Sequence, residues 1–293
     1  MTTKAIRRSQ PIVPQPCDKE RQYLINRCKK LAGKKIVIKY GGAALEHEDL
    51  KRPTLLDVAL LKEAGAIVVL VHGGSRHLSQ EMAKKGLAVK MINGLRYTSF
   101  ETVDIARKVF GQLNTEIVEL LDAAGAAPIG LKGEESDIIR AKAKDFDLYG
   151  YVGDVQKVKV EVLSKLLKQN RLPVISGLGI DENGQTLNIN LDTVAAAIAG
   201  ALSAEKFVLI TDVDGILLDV TDSSTRMSLL NREQLKSLQS SNMVANGMLP
   251  KVEACLSAMA QGVKETYIIS CRQPHALITE LLGETQYGTH IVW

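Results

Sequence analysis

Lys39 closes a short apolar run, Lys35-Ile36-Val37-Ile38-Lys39, and is followed by Tyr40 and the pair Gly41-Gly42. A lysine at a strand end beside glycine amides suits a phosphate group, because ligands of open α/β sheets gather at the carboxyl ends of strands. Two further strand ends carry the same chemistry: His72-Gly73-Gly74-Ser75, which runs into a helix, and Ser176-Gly177-Leu178-Gly179. One glycine pair reads equally well as a tight turn, and a lone lysine as a surface residue; three such strand ends together favour an anion site. None has the Walker A spacing or the GxGxxG of a dinucleotide fold.

Lys251 follows Gly247-Met248-Leu249-Pro250 and opens a helix, where the helix dipole disfavours a cation unless an anion offsets the cost. It is a second candidate phosphate ligand. In Asn188-Ile189-Asn190-Leu191-Asp192, alternation places Asn188, Asn190 and Asp192 on one face of a strand, and Asp192 is expected to cap the Ala-rich helix that follows. The acids of Thr211-Asp212-Val213-Asp214-Gly215 offer metal ligands or a solvated turn. Two lysines and a set of glycine amides would suit phosphoryl transfer to a carboxylate. An ionised carboxylate needs no base, so positioning and charge neutralisation carry the catalysis.

These residues need a scaffold of alternating strands and helices. A first helix is expected over 18–31, with Tyr23, Leu24, Cys28 and Leu31 on one face and Gly33 as its stop. Strands are expected at 35–39, 66–71, 128–131, 173–176, 207–210, 266–270 and 289–292. Helices are expected at 54–64, 76–85, 160–168, 193–202, 251–261 and 275–282. Thr98, three residues before Glu101, reads as a capping box for a long helix reaching Gly125. Residues 141–156 read as a β-ribbon or loop. The fold class is therefore α/β, with a mostly parallel sheet covered on both faces. Residues 1–17 read as a flexible tail and 18–293 as a single domain, with a lobe boundary between Ser176 and Thr193.

The 293 residues carry 37 Lys and Arg scattered among 33 acids, with a net charge of +4. That pattern argues against nucleic-acid binding. No apolar run approaches the ~20 residues of a membrane span. Cys17, Cys28, Cys255 and Cys271 form no CxxC pair and read as free thiols in a reducing, cytoplasmic setting. An organelle-targeting peptide is the alternative for the tail, since no acid precedes Asp18.

In order, KYGG at 39–42, HGG at 72–74, NGLRYT at 93–98, NINLD at 188–192, TDVDGIL at 211–217 and GMLPK at 247–251 resemble the amino acid kinase family. The resemblance runs from about Lys34 to the C-terminus, and within the family it points to the branch that phosphorylates N-acetyl-L-glutamate in arginine biosynthesis. It implies a three-layer α/β/α sandwich, with an acceptor lobe over about 34–176 and a nucleotide lobe over about 177–293. Lys39 and Lys251 would flank the transferred group, Asp192 would orient them, and Gly42 and Gly74 would donate amides to it. Arg96 would hold the side carboxylate of the acyl-amino acid through its two-pronged fork, with Gly73, Gly74, Asn188 and Asn190 beside it. Gly41, Gly42, Thr211, Asp212, Val213, Asp214, Gly215, Leu217, Gly247, Met248 and Lys251 would border ATP, whose phosphates would carry Mg2+; no protein metal site is expected.

Two departures from the family stand out: Ser75 where a third glycine is usual, followed by Arg76 and His77, and Leu191 where alanine is commoner. The first helix, His275, Glu280 and Gly288-Thr289 resemble the arginine-sensitive members, which implies an arginine effector and a homo-oligomer, dimer or hexamer. Alternatives are a kinase for another carboxylate, such as a carrier-linked aminoadipate, and a non-catalytic amino-acid-binding relative. Asn93-Gly94-Leu95-Arg96 favours a free acylated amino acid as acceptor.

Overall fold

The alternation in β1 (Lys35–Tyr40) divides its side chains between two layers: Ile36, Ile38 and Tyr40 face one core and Val37 the other. The computed structural model describes residues 18–241, 247–284 and 286–293; the expected tail and Cys17 lie outside them. In chain order, α1 (Asp18–Cys28) precedes β1. Next come α2 (Ala43–Glu46), α3 (Glu48–Glu63), β2 (Ile67–His72), α4 (Ser75–Lys84), β3 (Met91–Ile92), β4 (Leu95–Arg96) and α5 (Phe100–Ala123). After them follow β5 (Pro128–Lys132), β6 (Ile139–Ala143), α6 (Phe146–Tyr149), β7 (Val152–Val158), α7 (Val160–Lys168), β8 (Leu172–Ser176), β9 (Leu178–Ile180) and β10 (Thr186–Ile189). The chain continues with α8 (Leu191–Ala201), β11 (Lys206–Thr211), β12 (Leu229–Asn231), α9 (Arg232–Ser240), α10 (Leu249–Ala260), β13 (Glu265–Ser270), α11 (Ala276–Leu281) and β14 (Gly288–Val292).

Eight strands form the main sheet in the order β12-β14-β13-β11-β1-β2-β8-β5. Its pairings are parallel except that of β13 with β14. One face packs on α1, α3, α4, α5 and α11, the other on α7, α8, α9 and α10, which gives the expected three layers. β1 lies between β2 and β11, so the chain leaves it in one direction first and in the other later. Such a switch point opens a crevice above the strand ends.

β6, β7, β9 and β10 close a small barrel beside the crevice. The expected ribbon over 141–156 is the antiparallel pair β6–β7, with a bulge between Arg140 and Ala141 and α6 at its turn. β3 and β4 form a hairpin whose turn, Asn93-Gly94, has φ of 48° and 78°. Both values are positive, as the two-residue turn matched to strand twist requires.

Four local expectations are corrected. The long helix is capped by Ser99, whose hydroxyl accepts from Thr102 N. Thr98 is instead buried, pairs with Gly150, and donates its hydroxyl to Arg96 O at 2.9 Å. The Ala-rich helix starts at Leu191 and is capped by Asn190, which accepts from Asp192 N at 2.8 Å; that leaves the Asp192 carboxylate free for other work. Strand β10 ends at Ile189, so Asn190 and Asp192 share the Asn188 side through the helix start rather than by strand alternation. Finally α3 begins at Glu48, well before Thr54, and contains Pro53. The proline forfeits one bond to the exposed Asp49 carbonyl, which solvent can replace.

α1 packs on its own chain through buried Leu24, Ile25 and Cys28, while Tyr23 is exposed. Arg21 pairs with Glu63 and Arg27 with Glu284. No helix among the described residues is long and apolar enough to cross a membrane.

Candidate active site

Lys39 shares the parity of Val37 and therefore faces α8. Its Nζ lies 3.0 Å from Asp192 Oδ1, as an ion pair rather than an aligned hydrogen bond. Asp192 is 6% exposed and Lys39 is 9%. The small residues of α8, Ala195, Ala196 and Ala199, let α10 pack closely, and α10 brings Lys251 Nζ to 3.9 Å from Asp192 Oδ2. One carboxylate thus sits between two lysines. Burial pushes the Asp192 carboxyl up, but Lys39 and Lys251 together hold it below the usual carboxylate range. Burial lowers Lys251, against the raising influence of Asp192.

The β2 turn is held from behind. His72 is fully buried; its Nδ1 donates to Gly73 O at 3.1 Å, and its Nε2 accepts from Asn114 Nδ2 at 3.0 Å. Burial lowers its pKa to about 4, so the ring is neutral and acts as a brace. Tyr40 braces the β1 turn by donating its hydroxyl to Ala44 O at 2.7 Å.

Arg96 approaches from the β3–β4 hairpin and is 8% exposed. Its Nη2 donates to Ser75 O at 2.9 Å, Ser75 Oγ at 3.0 Å and Ser79 Oγ at 2.7 Å. Nη1 reaches Met82 Sδ at 3.4 Å. Every one of these partners is neutral, and burial alone depresses the guanidinium pKa. A desolvated cation with no counter-charge is a place for an anion. Ser75 occupies the first position of α4 and its hydroxyl is absorbed by Arg96, so the departure at this position steadies the arginine.

A cavity of about 210 Å3 joins these parts. Lys39, Gly41, Gly42, Gly73, Gly74, Arg96, Asn188, Asn190 and Asp192 all line it. Asn188 donates to Thr98 Oγ1 at 3.1 Å, and Asn190 is occupied in capping α8. Gly177, from the third glycine-bearing strand end, and Leu191, one of the two departures from the family, also line it, as do Leu78, Phe110 and Val152, apolar residues in unremarkable sequence that carry no site signal.

Of the expected nucleotide residues, Gly41 and Gly42 line this cavity, while 211–215, Leu217, Gly247, Met248 and Lys251 are not in its lining. Thr211 ends β11, which pairs with β1, and Asp212 follows it. Asp212 receives Arg76 Nη2 at 3.1 Å, while Arg76 Nη1 binds Glu46 at 2.8 Å. Asp214 is half-buried, and Val213 is 39% exposed. Gly215 brings the loop against β14, where Ile216 N donates to Thr289 Oγ1 at 2.8 Å. Leu217 bridges to Arg226. Gly247 O accepts from Lys251 Nζ at 3.4 Å, and Met248 precedes α10 as its cap residue. Among the described residues no three His, Cys, Asp or Glu side chains group as a metal site.

The family described as the amino acid kinase family matches residues 34–270. An acetylglutamate kinase from Thermosynechococcus vestitus is 42% identical over 262 residues, covering 89% of this chain and 89% of that one. An acetylglutamate kinase from Desulforamulus reducens is 39% identical, covering 90% of this chain and 93% of that one. Among solved structures, the N-acetylglutamate synthase of Neisseria gonorrhoeae superposes with a TM-score of 0.81 at 22% identity. The match covers 95% of this chain and 64% of that longer one, and it speaks for the fold alone.

Proposed function

This chain belongs to the amino acid kinase family, and we propose that it transfers the γ-phosphoryl group of ATP to the side-chain carboxylate of N-acetyl-L-glutamate, giving an acyl phosphate and ADP in arginine biosynthesis. The observation that carries the reading is one cavity lined both by a buried, uncompensated Arg96 and by Lys39 with Asp192. An acceptor with two carboxylates matches that pair. Arg96 holds the carboxylate that does not react; this replaces the side-carboxylate role implied by the family resemblance, since the side-chain carboxylate is the one that must attack. The other carboxylate is presented to the phosphoryl group.

Lys39 and Lys251 neutralise charge on the phosphoryl oxygens as it moves, with amides of Gly42 and Gly74 as further donors. Asp192 keeps the two ammonium groups from separating under mutual repulsion. ATP lies over the ends of β1 and β11, bordered by 211–217 and 247–248. Asp192 is committed to lysines and Asp212 to an arginine, so Mg2+ enters on the nucleotide phosphates rather than on a protein cage. The acceptor lobe spans about 34–176 and the nucleotide lobe about 177–293, and the enzyme works in the cytoplasm.

ADP release, followed by a coupled assay with MgATP, should depend on N-acetyl-L-glutamate, and glutamate or aspartate should support little. ADP release indifferent to the acceptor would contradict the reading.

Arginine inhibition and homo-oligomerisation, as dimer or hexamer, form its regulatory part. The buried Glu280 carboxylate beside the start of β14 motivates the effector; it accepts from Tyr287 N at 2.6 Å, and burial raises its pKa. Arginine titration alongside particle mass by light scattering tests both; a flat response and a monomeric mass remove them.

A further inference from the structure

We propose that Leu191 forms the floor of the acceptor cavity and sets the length of dicarboxylate that the enzyme accepts. The inference rests on the reading of that cavity as the acceptor site. Leu191 is the first residue of α8, next to Asp192, half-buried and lining the cavity. Its isobutyl group lies over the ends of β1, β2 and β8, three consecutive neighbours in the sheet. A Cβ on Gly41 would meet Leu191 Cδ2 at 3.5 Å, one on Gly73 would meet the same atom at 2.9 Å, and one on Gly177 would meet Cδ1 at 2.6 Å. The last two separations are closer than carbon atoms tolerate.

A single side chain therefore fills the hollow left by glycines on three strands. Those glycines do more than expose amides to an anion: Gly73 and Gly177 make room for Leu191. The consequence concerns selectivity. Lys39, Asp192 and Arg96 read charge, but none of them measures distance along an aliphatic chain. A hydrocarbon floor offers the acceptor no hydrogen bond and discriminates by contact alone. One methylene in such a pocket is worth about 10–200-fold in kcat/KM.

Leu191→Ala removes three carbons from the floor. Its expected effect is a shift of at least about tenfold in the kcat/KM ratio of N-acetyl-2-aminoadipate, one methylene longer, over N-acetylglutamate. N-acetylaspartate, one methylene shorter, should gain nothing. Leu191→Val removes one carbon and should move the ratio the same way by less, which keeps the test available if the alanine variant folds poorly. Affinities of the three acceptors measured calorimetrically without ATP give a second readout and should move in the same order. An unchanged ratio in a wild type that does phosphorylate N-acetylglutamate overturns this inference alone. Equal gains for the shorter and longer acceptors, the mark of general loosening, overturn it too. A wild type that neither binds nor phosphorylates N-acetylglutamate removes the function on which the inference stands, and the inference with it.

Discussion

Lys39→Met is expected to lower kcat by about 10^3-fold, the scale seen when a cation that stabilises a transferring phosphoryl group is removed. Methionine keeps the length and the apolar stem, so the cavity stays filled while the charge is lost. The substitution also strands Asp192. That carboxylate is 6% exposed and loses the ammonium at 3.0 Å, keeping only Lys251 at 3.9 Å. Removing one partner of a buried ion pair costs about 3–5 kcal/mol, because the remaining charge stays desolvated.

Two effects are thus combined, and a second substitution separates them. Lys39→Met with Asp192→Asn replaces the stranded carboxylate by a neutral amide. Stability should largely return in denaturant melts, while turnover stays low. Recovery of turnover in the double variant would mean that Lys39 acts through stability alone.

The same pair gives a pH signature. In the wild type Asp192 is held below the ordinary carboxylate range, so its contribution to stability is present above the unfolded carboxylate pKa. It is lost as pH falls through its own depressed value. In Lys39→Met the largest influence lowering that carboxyl is gone, so the loss of stability on acidification that Asp192 causes in the wild type should shrink. A variant whose kcat remained within tenfold of wild type would remove Lys39 from the phosphoryl site.

Arg96 should respond in the opposite sense on stability. Its guanidinium is buried among Ser75, Ser79 and Met82, and among the described residues no carboxylate pairs with it. Arg96→Met should raise the acceptor KM by about 10^2-fold, since two charge-assisted hydrogen bonds to a carboxylate are worth about 1.5–3 kcal/mol each, less the cost of burial. Without substrate the variant should melt no lower than wild type, because a desolvated cation has been exchanged for an apolar side chain. Arg96→Lys keeps the charge but loses the fork, and should recover only part of the affinity. A lower melting temperature with an unchanged acceptor KM would recast Arg96 as a structural tie between the hairpin and α4.

The main-sheet strands at 35–40, 67–72, 172–176, 206–211 and 265–270 were legible because they are buried on both faces and read as apolar runs. Errors gathered at helix starts, where one hydroxyl or carboxylate decides the cap. Ser99 takes the place of Thr98, because Thr98 is drawn into the site by Arg96 and Asn188. Asn190 takes the place of Asp192, because two lysines claim that carboxylate. Both misplaced caps are thus residues that the site uses, which is where local rules are expected to fail. Helix 232–240 has no counterpart among the expected helices, although Asn231 and Gln234 form a capping box from residue types present in the sequence.

The six motifs brought most of the candidate site to hand, but not its shape. That Gly73 and Gly177 accommodate Leu191, and that Ser75 steadies Arg96, depends on how three strand ends and two helices pack together. No local pattern carries that information.

The central claim is that a carboxylate becomes an acyl phosphate in this cavity, and trapping with hydroxylamine tests it most directly. With MgATP and N-acetyl-L-glutamate, the wild type should yield acyl hydroxamate in step with ADP, and Lys39→Met should yield almost none. ADP formed without hydroxamate, or hydroxamate undiminished in Lys39→Met, would contradict the account.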